Sequence, residues 1–235
     1  MLTAAHCVGR AKVPSGPITS SFRDWNGRLV AQGGGTYHIT ELRFPIQNGY
    51  GGASTDIAVL KIPKKADILD HAGSKVPQPV LYDGNAELYN IVWFAGYGRW
   101  GAGTGGPNGS YFPLSGPRRA AAASSISRVF ENEHGLGANF EPATSANYWS
   151  RSAPGDSGSA WWQQFNGRWT IVATTNGGTG TLSTGARVSK YVAFIANVYP
   201  DALFLSAALK RGSATPAVST PVITPNGAPI SPFGK

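Results

Sequence analysis

The sequence predicts an all-β protein of short strands joined by glycine-rich turns, and three observations carry that prediction. Glycine (31) and proline (17) make up about a fifth of the 235 residues, against a usual combined share of roughly 12%. Charged residues reach only 14%, where about 25% is ordinary, so the Glu- and Lys-rich faces of a helix bundle are missing. Apolar residues gather in short runs bounded by turn residues, and no run approaches the roughly 18 residues of a membrane span.

Element by element, residues 36–44 (TYHITELRF) are rich in β-formers and stop at Pro45, which predicts one strand. A glycine-rich stretch, 48–55, leads to Asp56 and the apolar run Ile57-Ala58-Val59-Leu60, a second strand closed by Pro63. Residues 91–97 (IVWFAGY) are a continuous apolar run of strand length. Residues 98–117 are dense in glycine and proline and predict a long surface loop. In Trp161-Trp162-Gln163-Gln164-Phe165-Asn166-Gly167-Arg168-Trp169-Thr170-Ile171-Val172, an Asn-Gly pair sits between two β-rich runs. A type I′ hairpin follows, because both central residues of that turn need φ > 0. Trp161 and Trp162 read as core and surface strand residues rather than substrate platforms. Val188, Tyr191, Val192, Ile195 and Val198 then fall at helical spacing, with Ser189 as N-cap and Pro200 as stop. A second short helix is predicted from Asp201 to Arg211, ended by Gly212. Residues 213–235 hold five prolines among Ser, Thr and Gly and predict a disordered Pro-rich tail.

The formal charge is +8, but the basic residues are scattered, which fits a solvating surface and argues against a nucleic-acid partner. A single cysteine, Cys7, rules out an internal disulfide framework and a Cys-rich zinc site. His6, His38, His71 and His134 lack metal-ligand spacing, and no metal or cofactor is expected. Asp83-Gly84-Asn85-Ala86-Glu87 is the best candidate for weak cation binding. Asn108-Gly109-Ser110 matches a glycosylation acceptor in the long loop.

Three short motifs carry chemistry. Thr3-Ala4-Ala5-His6-Cys7 offers a histidine, Thr55-Asp56-Ile57-Ala58-Val59-Leu60 an aspartate at a strand start, and Gly155-Asp156-Ser157-Gly158-Ser159 a serine between glycines. A serine hydroxyl is a poor nucleophile until a neutral imidazole takes its proton, and that imidazole needs a carboxylate to fix its tautomer. Glycine at 155 leaves the N–H groups of Gly155 and Ser157 able to converge on a carbonyl oxygen as an oxyanion hole.

The order His, Asp, Ser, with these flanking residues, resembles the chymotrypsin/trypsin-type serine protease family over roughly residues 2–199. Subtilisin and α/β-hydrolase arrangements run in other orders. Ala95-Gly96-Tyr97-Gly98 is similar to the strand opening that family's second barrel, and Arg187-Val188-Ser189-Lys190-Tyr191-Val192 to the entry of its C-terminal helix. Ala153-Pro154-Gly155-Asp156-Ser157 is closer to bacterial members. The resemblance implies two six-stranded antiparallel β-barrels and a C-terminal helix. It makes His6 general base then acid, Asp56 its orienter and Ser157 the nucleophile of an endopeptidase working through an acyl-enzyme. Asp156 becomes a structural carboxylate that receives a freed amino terminus, with a simple turn aspartate as the alternative. Arg151 falls at the floor of the primary specificity pocket, where it would pair with an acidic substrate side chain; an outward-facing surface arginine is the alternative, since Ala153 stands where a cysteine usually staples this loop. Thr175, Asn176 and Gly177 would form the other wall, with Ser183 opposite. A secreted, extracellular or periplasmic monomer acting on protein or peptide substrates is expected, with no membrane span.

The family's chain carries several strands ahead of its histidine motif, whereas five residues precede His6 here, with no leader-like organisation. The first barrel is therefore expected to be incomplete, without the amino terminus for Asp156 or a cysteine partner for Cys7. The expected domain is an N-terminally truncated peptidase over 1–212, its first barrel about 1–90 and its second barrel and helix about 91–212. A fragment of an ordinary protease, a catalytically impaired protease-like binding protein and a serine esterase on the same fold are the alternatives.

Overall fold

Short strands dominate the computed structural model, which describes residues 1–8, 28–30, 36–45, 55–62, 73–99, 120–140 and 150–210. The predicted loop beyond Arg99, with its Asn108-Gly109-Ser110 acceptor, and the tail 213–235 lie outside the described residues.

The chain begins with β1 (Leu2–Thr3), a 3-10 helix (Ala5–Val8), β2 (Arg28–Val30), β3 (Thr36–His38), β4 (Glu41–Arg43) and β5 (Ala58–Lys61). β5 is flanked on both sides by antiparallel partners, β1 and β4, while β2 and β3 form a separate ladder. Ala5, Leu42, Phe44, Ala58 and Leu60 are the buried core of this half. The single strand predicted over 36–44 is instead two, because β3 and β4 serve different partners and the chain turns between them, where Thr40 N–H donates to the Lys61 carbonyl at 2.9 Å.

The second half closes on itself. After β6 (Val80–Leu81) come β7 (Ile91–Gly96), β8 (Ala120–Phe130), β9 (Gly135–Asn139), β10 (Ala160–Phe165), β11 (Arg168–Thr179) and β12 (Leu182–Arg187). Antiparallel pairing runs β7-β8-β9-β12-β11-β10, and β10 returns to β7, so six strands form a closed barrel with β6 added parallel to β11. Val92, Phe94, Ile126, Leu136, Trp161 and Val172 fill it. Alternation of side chains along each strand dictates which residues reach that interior. The ring of Trp161 meets Phe94 edge-on at 5.0 Å, across the closing seam. The Asn166-Gly167 turn has φ of 49° and 74°, as a type I′ hairpin needs.

At the C-terminal end, a 3-10 turn (Val188–Tyr191) feeds α1 (Val192–Val198), and α2 spans Leu205–Lys210. Tyr191 and Ile195 are buried against Ile57, Leu81 and Ile171. Ser189 is not the N-cap: its hydroxyl donates to Glu87 Oε1 at 3.1 Å, and helical structure begins one residue earlier. The second helix starts at Leu205 rather than Asp201, since Phe204 is still bridged to Leu81. The two carboxylates of 83–87 bond within the protein. Asp83 accepts from the N–H and hydroxyl of Ser206. Glu87 is fully buried and takes both forks of Arg187 at 2.8 Å. Removing one partner of such a buried pair would strand the other charge, a loss of about 3–5 kcal/mol.

Candidate active site

His6 and Asp56 meet because of strand register. β1 and β5 pair Leu2 with Val59 and Thr3 with Ala58. Extrapolated, that ladder sets residue 5 opposite residue 56, and the 3-10 turn, closed by Cys7 N–H to the Ala4 carbonyl at 3.2 Å, swings His6 over the aspartate. Both carboxylate oxygens are used. Asp56 Oδ2 lies 2.5 Å from His6 Nδ1, and Oδ1 accepts the His6 backbone N–H at 2.7 Å. Asp56 is 4% exposed and the imidazole 36%, so the acid is sequestered while the ring keeps an open edge. At that edge Nε2 lies 3.7 Å from Cys7 Sγ.

Ser157 sits in a tight turn at residues 153–159. Asp156 N–H donates to the Ala153 carbonyl and Ser159 N–H to the Asp156 carbonyl. Gly155 (φ 97°) and Gly158 (φ 82°) take left-handed conformations, and a Cβ on Gly155 would come within 2.9 Å of Gly98 Cα. The turn is tied to β11 by Gly158 N–H to the Thr175 carbonyl at 2.7 Å and by Thr175 N–H to the Ser159 carbonyl at 2.8 Å. It is tied to the N-terminal half by contact: a Cβ on Gly158 would collide with Thr3 Oγ1. Ser157 is thereby held beside the strand that leads into His6. Among the described residues no hydrogen bond joins Ser157 to His6, and none is donated by the N–H groups of Gly155 and Ser157.

Asp156 points away from this surface into a cradle. Its Oδ1 accepts from Gly98 N–H and its Oδ2 from Ala153 N–H, both at 2.9 Å. Gly96 and Gly98 make the room, since a Cβ at either would strike the carboxylate. Burial pushes its carboxyl pKa up, and the two N–H donors offset only part of that. The amino group of Met1 lies elsewhere, donating to the Leu60 carbonyl at 2.8 Å, so in this structure Asp156 bonds to backbone and not to that ammonium.

The residues expected to line a specificity pocket divide. Thr175 does not present its side chain: it is 1% exposed, and its hydroxyl accepts from the Trp161 indole and bonds Ser159 Oγ, both at 2.8 Å. A threonine facing the barrel interior here satisfies the buried indole N–H, so only the backbone of Thr175 is left to contribute to a wall. Asn176 Oδ1 accepts from Thr184 Oγ1 at 2.6 Å. A Cβ on Gly177 would make only an ordinary contact, with Thr184 Oγ1 at 3.9 Å, and the buried Ser183 hydroxyl accepts from Ser152 N–H. Arg151 is half-buried, with one donor committed to the Gly180 carbonyl. Thr3, Gly96, Gly98 and Ser152 were not singled out by their own chemistry. The glycine-any-glycine spacing at the end of the 91–97 run was the available signal for a close backbone approach.

Among the described residues, no group of three or more His, Cys, Asp or Glu is arranged to hold a metal, and no helix is long and apolar enough to cross a membrane. No curated protein matches the chain. The family model described as Trypsin matches residues 1–195, which spans the His6–Asp56 pair, the Ser157 turn and the closed barrel. The chain belongs to the trypsin family of serine proteases.

Proposed function

We propose that this chain is a serine endopeptidase in which Ser157 is the nucleophile, His6 the general base and acid, and Asp56 the group that orients it. The observation that carries the proposal is the doubly bonded His6–Asp56 pair. A carboxylate that accepts from Nδ1 leaves neutral Nε2 with its lone pair directed outward, ready to take a proton. Ser157 attacks a peptide carbonyl, its proton passes to Nε2, and the developing oxyanion is met by the N–H groups of Gly155 and Ser157. His6 then gives the proton to the departing amine, leaving an acyl-enzyme. Water, deprotonated by the same imidazole, releases the acid product and restores Ser157.

A fluorophosphonate probe tests this directly, because it labels a serine only when base and oxyanion hole are assembled. Labelling is expected on the folded chain and is expected to vanish in Ser157→Ala with the circular dichroism spectrum retained. Undiminished labelling in that variant would sink the assignment. The approach of Nε2 to Cys7 Sγ, with no bond to Ser157, is what favours a second reading, a protease-like binding protein. A folded chain that takes no label would put that reading ahead. Peptide and ester substrates run side by side separate an endopeptidase from an esterase.

A further inference from the structure

The segment just ahead of Ser157 is fastened to the tip of the β11–β12 hairpin by three hydrogen bonds. Arg151 Nη1 donates to the Gly180 carbonyl, Ser152 N–H to Ser183 Oγ at 2.8 Å, and Ser152 Oγ to the Gly177 carbonyl at 3.3 Å. They reach both strands and the turn between them. Gly177, Gly178 and Gly180 give this tip few side chains, and a Cβ on Gly180 would meet nothing within 4 Å, although one on Gly178 would strike the Leu182 carbonyl. Backbone bonds therefore hold it: the ladder to β12, Phe140 N–H to the Thr181 carbonyl at 2.7 Å, and the ties from 151–152. Ser183 is 1% exposed, so losing the Ser152 N–H would also leave a buried hydroxyl short of a partner.

The same two segments are joined at their other end, where Gly158 and Ser159 exchange backbone bonds with Thr175. Between these ties the chain runs from 151 to 158 on one side and from 175 to 180 on the other. The two segments are thus joined at both ends beside the Ser157 turn. We propose that Arg151 and Ser152 are positioning residues for substrate recognition: they clasp the 177–180 tip against the segment leading to Ser157 and fix the spacing between the two. The proposal rests on the endopeptidase reading for its substrate, but the clasp itself is a statement about structure. It gives Arg151 a backbone carbonyl as its partner in place of a substrate carboxylate.

Three variants test it: Arg151→Met, which keeps length and loses the donors, Arg151→Lys, which keeps one, and Ser152→Ala, which removes a single hydroxyl. Backbone amide exchange over 176–184 should quicken about tenfold in Arg151→Met and Ser152→Ala relative to the rest of the barrel, and less in Arg151→Lys. KM for peptide substrates should rise about tenfold whatever the charge of the side chain presented, the loss expected for one charge-assisted bond, while Ser157 labelling changes by less than about threefold. Unchanged exchange over 176–184 overturns the clasp. So does a loss confined to acidic substrates, which would make Arg151 a direct charge contact. Quickened exchange in a protein whose Ser157 never labels upholds the clasp and rejects the endopeptidase reading. If Arg151→Met does not fold, Ser152→Ala carries the same comparison.

Discussion

Cys7 shares the open edge of His6, and its environment sets its reactivity. Desolvation by the surrounding protein raises the thiol pKa, and the negative charge of Asp56 adds to it. Since the thiolate is the reactive form, alkylation by iodoacetamide should have its midpoint above the ordinary cysteine range. Asp56→Asn should lower that midpoint part of the way, because burial remains. A wild-type midpoint at or below the ordinary range would contradict both causes. Gly158 makes a second residue-scale prediction. Its left-handed φ and its contact with Thr3 are separable penalties. Gly158→Ala should destabilise by more than about 1 kcal/mol in denaturant melts, and Thr3→Ala in the same chain should recover the clash with Oγ1, while the tight approach to the Ala4 N–H and the backbone part persist. Full recovery would mean that the φ of 82° carries no strain.

Elements whose geometry is decided within a few residues were legible in the sequence. The Asn166-Gly167 hairpin is the clearest, for both positive φ values belong to the two residues that permit them. A Cβ on Gly167 would meet nothing within 4 Å. Gly167→Ala should therefore lose only the left-handed backbone penalty of about 1 kcal/mol, lowering Tm by roughly 2–4 °C. A much larger drop in a thermal melt would mean that the turn is packed against something. Elements whose limits depend on distant partners were not legible. Residues 36–44 have one β-forming pattern, yet they split because β3 and β4 answer to β2 and β5. Ser189 has the composition of an N-cap, but Glu87, separated from it by 102 positions, takes its hydroxyl. The His6–Asp56 pair was legible through its flanking motifs, whereas the inward turn of the Thr175 side chain was not, because burial of its hydroxyl depends on the Trp161 indole across the β10–β11 ladder. Likewise, nothing local to Arg151 announces a carbonyl partner at Gly180.

On the scale of the whole molecule, Asp156 joins the turn around Ser157 to the end of β7. Its raised carboxyl pKa has a definite sign in stability. A folded state that holds the proton more tightly than the unfolded chain loses stability as pH rises, from the ordinary aspartate value of 3.8 up through the raised folded value. Wild type should therefore lose ground against Asp156→Asn across that window in denaturant melts, with no further change once the folded carboxyl is ionised. A difference that moves in the opposite direction would mean that Asp156 has a cationic partner. The bonds that build the site span long stretches of chain: 50 residues from His6 to Asp56, 58 from Gly98 to Asp156, and 100 from Glu87 to Arg187. Such non-local closure is slow, because loop entropy is lost before any contact repays it. No short contiguous piece of the chain contains both an oriented imidazole and a seated Ser157 turn. On the proposed mechanism a half-folded copy lacks part of this machinery, so cleavage is expected only after the last closures, when the molecule's own strands are already paired and out of its neighbours' reach.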